Sequence, residues 1–142
     1  MKHALVLMFA MLSSSAFAAG LGECESYNDI AYLQSTKSFA NHAIKVAEVY
    51  TEEPAAAADH ILVFIYDKEM GNTCTRITRE ADGSGGWGFV DMTTLKSVSY
   101  DAKKGLLMQI TVSLPDTEGT GKSVKQTVKF RANQATGKLT LE

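Results

Sequence analysis

Two cysteines are the residues of this chain whose chemistry is easiest to define. Cys24 and Cys74 form no CxxC arrangement, which argues against a catalytic redox pair. In an oxidising compartment such a pair forms a structural disulfide, and closing a loop of about 50 residues stabilises a fold by roughly 4 kcal/mol in the chain-entropy model. Lipidation of Cys24 is the alternative, but Glu23 stands where lipoprotein signals carry a small residue. The sequence therefore predicts a Cys24–Cys74 disulfide.

The start of the chain supplies the compartment that this disulfide requires. Residues 2–3 are basic, residues 4–12 are apolar, and Ala16 and Ala18 place small side chains at the two positions that a signal peptidase reads. No later run approaches the roughly 18 apolar residues of a membrane helix. We expect a signal peptide over residues 1–18, cleaved after Ala18, and a single domain over residues 19–142 that works in the periplasm or outside the cell.

Three cations form the best candidate for a binding surface. Lys125, Lys129 and Arg131 lie on one face of one predicted strand. The wet face of a sheet is commonly charged without binding anything, so the stripe indicates binding only weakly. The whole chain carries 14 basic and 16 acidic residues, a balance that does not indicate nucleic acid. The charges are unevenly distributed along the chain: residues 19–69 include three basic and nine acidic side chains, and residues 94–142 include eight basic and four acidic ones. Folding either places the acidic and basic parts on separate sides of the domain or interleaves them.

A glycine-rich stretch, Gly83–Gly88, formally matches the GxGxxG phosphate-binding pattern. A strand rather than a helix is expected after it and no βαβ pattern surrounds it, so we interpret the stretch as a hairpin loop. Trp87 within it is either a core side chain, which its size favours, or an exposed stacking surface that joins the three cations as a candidate binding residue. Gly119–Ser123 is similar to the end of a P-loop but lacks the first glycine, where Asp116 stands.

Catalytic and metal-binding patterns are weak in this chain. The predicted domain has two histidines, His42 and His60, with no HxH, HExxH or GxSxG pattern, and each is expected to be solvated near a strand end. The carboxylates at 52–53 and 67–69 lack calcium-loop spacing and are interpreted as loop charges. We therefore predict a non-enzymatic protein with no metal and no cofactor.

The elements that must position these residues are predicted to be strands. Residues 106–114 alternate between apolar and polar with a period of two. Residues 124–131 continue the pattern, interrupted at Gln126, with basic side chains opposite the apolar ones. The loops 101–105 and 133–137 each begin with Asp or Asn and end in Gly, which is typical of a tight hairpin whose last residue has a positive φ. The strands that flank each loop are therefore expected to be antiparallel neighbours.

The first half of the chain is less regular. Ile61–Tyr66 predicts a central strand and Thr73–Arg79 its hairpin partner. Ala43–Tyr50 fits either a strand or a helix, and its valines favour the strand. Asn28–Gln34 predicts one short helix, capped by Ser26 or by its own first residue. Together these elements predict an all-β fold of seven to eight short strands joined by meander hairpins, either a small antiparallel barrel or a sandwich, with the barrel preferred.

These observations favour an exported, disulfide-stabilised binding module of the bacterial cell envelope, in the broad class to which small inhibitors belong. Its expected partner is an envelope or extracellular protein or an anionic polymer. The alternative is a carrier of a small apolar ligand, in which Ile61–Tyr66 and Leu106–Leu114 line a lipocalin-like cavity rather than a packed core.

Overall fold

The computed structural model describes residues 18–53, 55–69 and 71–142. The predicted export signal therefore lies, apart from Ala18, outside the described residues. Within them the chain forms nine β-strands and two 3₁₀ turns, Ile30–Tyr32 and Ala55–Ala57. The strands are β1 Gly20–Gly22, β2 Leu33–Phe39, β3 Ile44–Tyr50, β4 Asp59–Asp67, β5 Gly71–Thr78, β6 Phe89–Asp101, β7 Gly105–Ser113, β8 Lys125–Asn133 and β9 Lys138–Leu141.

The strands form two antiparallel sheets. The first sheet has five strands in the order β1-β5-β4-β3-β2, and the second has four in the order β6-β7-β8-β9. Every strand except β1 pairs with a neighbour in sequence, so the predicted meander hairpins are present. β1 instead returns to the far edge of the first sheet and pairs with β5. The all-β prediction is confirmed.

One hydrophobic core fills the space between the sheets. The first sheet contributes the inward residues Ile61, Val63 and Ile65 of β4, all at most 1 % exposed. The second contributes Met108, Ile110 and Val112 of β7, which the period-two pattern also placed on one face. Burying each such side chain stabilises the fold by about 1.5–3 kcal/mol. The alternation visible in the sequence is therefore the pattern that joins the two sheets.

The two tight hairpin loops are built as their sequences predict. Asp101 Oδ1 accepts hydrogen bonds from the backbone N–H groups two and three residues later, both at 2.8 Å. Asn133 Oδ1 accepts one from the N–H two residues later, at 3.0 Å. Gly105 and Gly137 end the loops with φ of 96° and 65°, a conformation that only glycine adopts without strain.

The predicted helix over Asn28–Gln34 is wrong, except for a single 3₁₀ turn at Ile30–Tyr32. Its cap is Asp29, whose Oδ1 accepts the Ala31 N–H at 2.8 Å. The helix ends there because β2 begins at Leu33, which pairs with Val49 of β3. The ambiguous Ala43–Tyr50 segment is a strand, as predicted, and pairs with a strand on each side.

The β2–β3 hairpin holds three consecutive non-glycine residues in the left-handed region. Ala40, Asn41 and His42 have φ of 51°, 52° and 68°. A β-carbon costs about 1–2 kcal/mol in this conformation, and asparagine tolerates it best. Ala40 is exposed, so its methyl group makes no core contact that would offset the strain.

Replacement of Ala40 by glycine should therefore raise the free energy of unfolding, by about 1 kcal/mol. Urea denaturation measures the change. Ala43→Gly is the matched control, since Ala43 is half-buried in the same hairpin without a positive φ and its replacement should lower stability by about 0.5–1 kcal/mol. Equal destabilisation by both variants would show that Ala40 is not strained.

Candidate functional site

The candidate site is the outward face of the second sheet, where the predicted cations lie. Lys125 and Lys129 are exposed and project from β8 away from the core, because the period-two alternation places them opposite Val128 and Phe130, which are buried. Across the sheet, Lys129 pairs with Gln109 of β7, which in turn pairs with Lys96 of β6. Directly opposed residues share a face, so Lys96 extends the predicted stripe across three strands. We call Lys96, Lys125, Lys129 and Arg131 the basic face.

Arg131 is less available than the lysines. Its Nε lies 2.6 Å from Glu142 Oε1, and one of its terminal nitrogens donates to the Gly105 carbonyl at 3.2 Å. The hydrogen bond from Arg131 holds the pKa of the exposed Glu142 carboxyl below its usual range. Among the described residues, no ion pair or hydrogen bond engages the amines of Lys125 and Lys129. These two lysines, like Lys96, are therefore available to a partner.

The fold separates the unequal charges noted in the sequence. The first sheet and its connections come from residues 19–88, which carry five basic and eleven acidic residues. The second sheet comes from residues 89–142, which carry eight basic and five acidic residues. Because each sheet is built from one continuous part of the chain, the part that holds the first sheet has a net negative charge and the part that holds the second has a net positive charge.

Trp87 does not belong to this surface. It is fully buried between the sheets, and its indole Nε1 donates to the Ile77 carbonyl at 3.1 Å. Its backbone also pairs with Asp59, at the point where β4 begins. Of the two alternatives for Trp87, the core position is the one found, so the tryptophan leaves the set of candidate binding residues.

A second group of polar side chains, which the sequence did not bring together, lies on the outer face of the first sheet. The Arg76 guanidinium stacks on the Tyr27 ring at 4.1 Å, and the Tyr27 and His60 ring centroids are 4.4 Å apart. Arg76 also donates to the backbone carbonyls of Glu23, Gly83 and Gly85 at 3.2–3.4 Å. Both Arg76 and His60 are buried, so the expectation of a solvated His60 is wrong.

The surroundings of His60 do not suit general-base catalysis. A terminal nitrogen of Arg76 lies 3.4 Å from Nδ1, and an arginine only donates, so Nδ1 is the acceptor. Burial, and secondly the Arg76 charge, lower the pKa of His60 to about 4, so the ring is neutral and its proton is on Nε2. That Nε2 faces the Thr51 hydroxyl at 3.5 Å. A ring that presents a proton to Thr51 cannot remove one from it.

The predicted disulfide joins Cys24 to Cys74 and explains why this group is buried. It holds residues 23–32, which we call the N-terminal segment, against the outer face of the first sheet. Cys24 packs there in a second apolar cluster with Ala47, Val49 and Leu62. The sequence carries one signal for this group. Cys74 and Arg76 are two residues apart in β5 and therefore lie on the same face of the sheet. A disulfide at Cys74 brings the residues near Cys24 over Arg76.

The surface beside this group is an open cleft of about 460 Å³, lined among others by Tyr27, Arg76 and Asp82. No cluster of three or more histidine, cysteine or carboxylate side chains in the described part of the chain could hold a metal ion. In the same residues, no helix is long and apolar enough to cross a membrane.

The fold and surface define a disulfide-stabilised antiparallel β-sandwich with one basic face. Comparison with protein-family models, with curated proteins and with solved structures gives no significant match.

Proposed function

We propose that the protein is an exported, non-enzymatic binding module whose basic face engages an anionic partner, either an envelope polymer or the acidic surface of another protein. The observation that carries this proposal is the pair Lys125 and Lys129, both exposed and free of ion pairs among the described residues. Concentrating cations on one side of a protein with a net negative charge orients an anionic partner toward that side.

Two further observations support the proposal. The Cys24–Cys74 disulfide fits an oxidising compartment, where the predicted signal would deliver the chain. The buried, neutral His60 presents its proton to Thr51, which fits a structural rather than a catalytic role. By contrast, no observation favours the carrier alternative. It assigns Ile61, Val63 and Ile65 to the wall of a cavity, but these side chains pack with the β7 residues in one core.

The double variant Lys125→Gln/Lys129→Gln should weaken binding to an immobilised sulfated polysaccharide about tenfold, because two exposed charge contacts are each worth up to about 1 kcal/mol. Retention of the unmodified protein should fall as salt rises. Titration on a heparin surface at several salt concentrations measures both effects.

Lys45→Gln/Lys68→Gln is the matched control for this experiment, since both lysines are exposed, belong to the acidic half of the chain and remove the same charge. It should bind like the unmodified protein. Equal weakening in both double variants would mean that net charge alone governs retention. An unmodified protein that does not bind the polyanion would remove an anionic polymer as the proposed partner.

A further inference from the structure

The outer edge of the second sheet carries an exposed stretch of strand. β6, with 13 residues, is the longest of the described strands, and it stands first in the order of its sheet, so among these strands it pairs only with β7. Its last six residues, 96–101, are all exposed. An exposed edge of this kind presents backbone N–H and C=O groups that another strand can bind.

The first part of the same edge is protected, which marks where the open stretch begins. Lys37 of β2 donates from Nζ to the Leu95 carbonyl at 2.6 Å, and Leu95 itself is buried. Beyond this contact the edge carries two exposed apolar side chains, Val98 at 48 % and Tyr100 at 71 %. Charge and proline, two of the features that protect an edge facing water, are absent from the four residues between Lys96 and Asp101, where the edge carries only a bulge at Val98.

The charges at the two ends of the stretch indicate what would bind it. Lys96 pairs with the outward Gln109, and Asp101 pairs with Gly105, which alternates along β7 with the core-facing Leu106, so Lys96 and Asp101 both face outward. If residues 96–101 met the same residues of a second copy in antiparallel register, Lys96 of each copy would stand opposite Asp101 of the other. Opposite charges that face each other across two strands stabilise the pairing, and like charges oppose it.

We propose that β6 pairs edge to edge with β6 of a second copy of this chain, antiparallel about a two-fold axis between Val98 and Ser99. The contact is isologous, so both copies use the same residues and the assembly closes at two. It joins the two four-stranded sheets into one sheet of eight strands, with both basic faces on the same side. The inference does not depend on what the basic face binds.

The irregularity in β6 is compatible with this register. The pairing of β6 with β7 shifts between Ser97 and Ser99, so Val98 is an extra residue relative to β7. In a pair of identical strands the extra residue is present on both sides, so six residues still face six. The shift therefore changes the local twist of the edge without displacing Lys96 from Asp101.

The expected dimer is weak. A contact of six residues on each side buries far less than the roughly 1,200 Å² of a stable interface, which places the dissociation constant in the range of about 0.1–1 mM. Sedimentation velocity of the oxidised protein from about 0.01 to 2 mM should show the weight-average mass rising toward twice that of the monomer.

Lys96→Glu should weaken this association at least tenfold, because it places glutamate opposite Asp101 of the second copy. Lys96→Glu/Asp101→Lys restores opposite charges and should recover the dimer, with circular dichroism confirming that the loop still folds without the Asp101 cap. Lys45→Glu, which makes the same charge change on the other sheet, is the control and should associate normally.

Three results would overturn the proposal. The first is a protein that stays monomeric at 2 mM. The second is equal weakening by Lys96→Glu and Lys45→Glu, which would make the effect one of net charge. The third is a folded double variant that stays dissociated, which would exclude the register that pairs Lys96 with Asp101.

Discussion

Reduction of the Cys24–Cys74 bond should lower the free energy of unfolding by about 4 kcal/mol, the largest single effect expected in this molecule. The bond closes a loop with a sequence separation of 50, and in the chain-entropy model its loss frees the unfolded chain over that length. Urea denaturation of the oxidised protein and of the same protein kept in a thiol reductant measures the difference without changing any side chain but the two cysteines.

The native state should respond locally as well. The N-terminal segment is fixed to the first sheet by the disulfide, by Tyr27 and Tyr32 against the second apolar cluster, and by the carbonyl of Glu23 on Arg76. Without the bond, backbone amides of this segment should exchange faster than those of β4 and β7, which lie in the main core. Equal unfolding midpoints for the two forms would contradict the prediction.

The main core was predictable from the sequence because the patterns that determine it lie within single strands and single hairpin loops. The period-two alternation of residues 106–114 fixes the inward face of β7 whatever the rest of the chain does. The loop chemistry of Asp101 and Asn133 then fixes which strands are neighbours. The Cys24–Cys74 pairing follows from the composition alone, since the chain has no other cysteine.

The outer face of the first sheet was not predictable in the same way. β1 has only three residues, two of them glycines, and β2 is a mostly polar strand, so neither shows an apolar period. The burial of His60 and Arg76 depends on the N-terminal segment lying over them, which is a tertiary contact rather than a local pattern. The sequence predicts three residues of the basic face on one strand, and only the register of three strands adds Lys96.

Two adjacent buried residues should give this fold opposing dependences on pH. Asp59 is buried, and its Oδ2 accepts the backbone N–H of Val90 at 3.0 Å, which ties β4 of the first sheet to β6 of the second. Burial raises its pKa from 3.8 to about 6, the charge of Glu48 adds to this, and the bond from Val90 opposes it. Between these values the folded state binds more protons than the unfolded state, so Asp59 makes stability fall as pH rises from about 4 to 6.

His60 acts in the opposite direction over nearly the same range. Its pKa is lowered from 6.5 to about 4, so the unfolded state binds more protons between these values and stability rises with pH. Each pKa shift changes the free energy of unfolding by up to about 3 kcal/mol over its full pH range, and by about 1.5 kcal/mol between pH 4.5 and 6. In the unmodified protein the two contributions nearly cancel, and its stability should be almost independent of pH there.

Replacing either residue should make the pH dependence of stability that is caused by the other residue measurable. Asp59→Asn keeps an acceptor for Val90 and should give a protein that gains about 1.5 kcal/mol of stability from pH 4.5 to 6, while His60→Gln should lose about as much. Urea denaturation at both pH values measures the two slopes.

The exposed carboxyls whose pKa values are lowered are Asp82, Asp101, Asp116 and Glu142. They affect stability mainly as pH falls below about 4, and they are common to all three proteins. Slopes of the same sign in the two variants would mean that Asp59 and His60 do not titrate in opposition. Opposite slopes would show that neighbouring residues of β4, one turned to the core and one to the N-terminal segment, together keep the stability of the sandwich constant in weak acid.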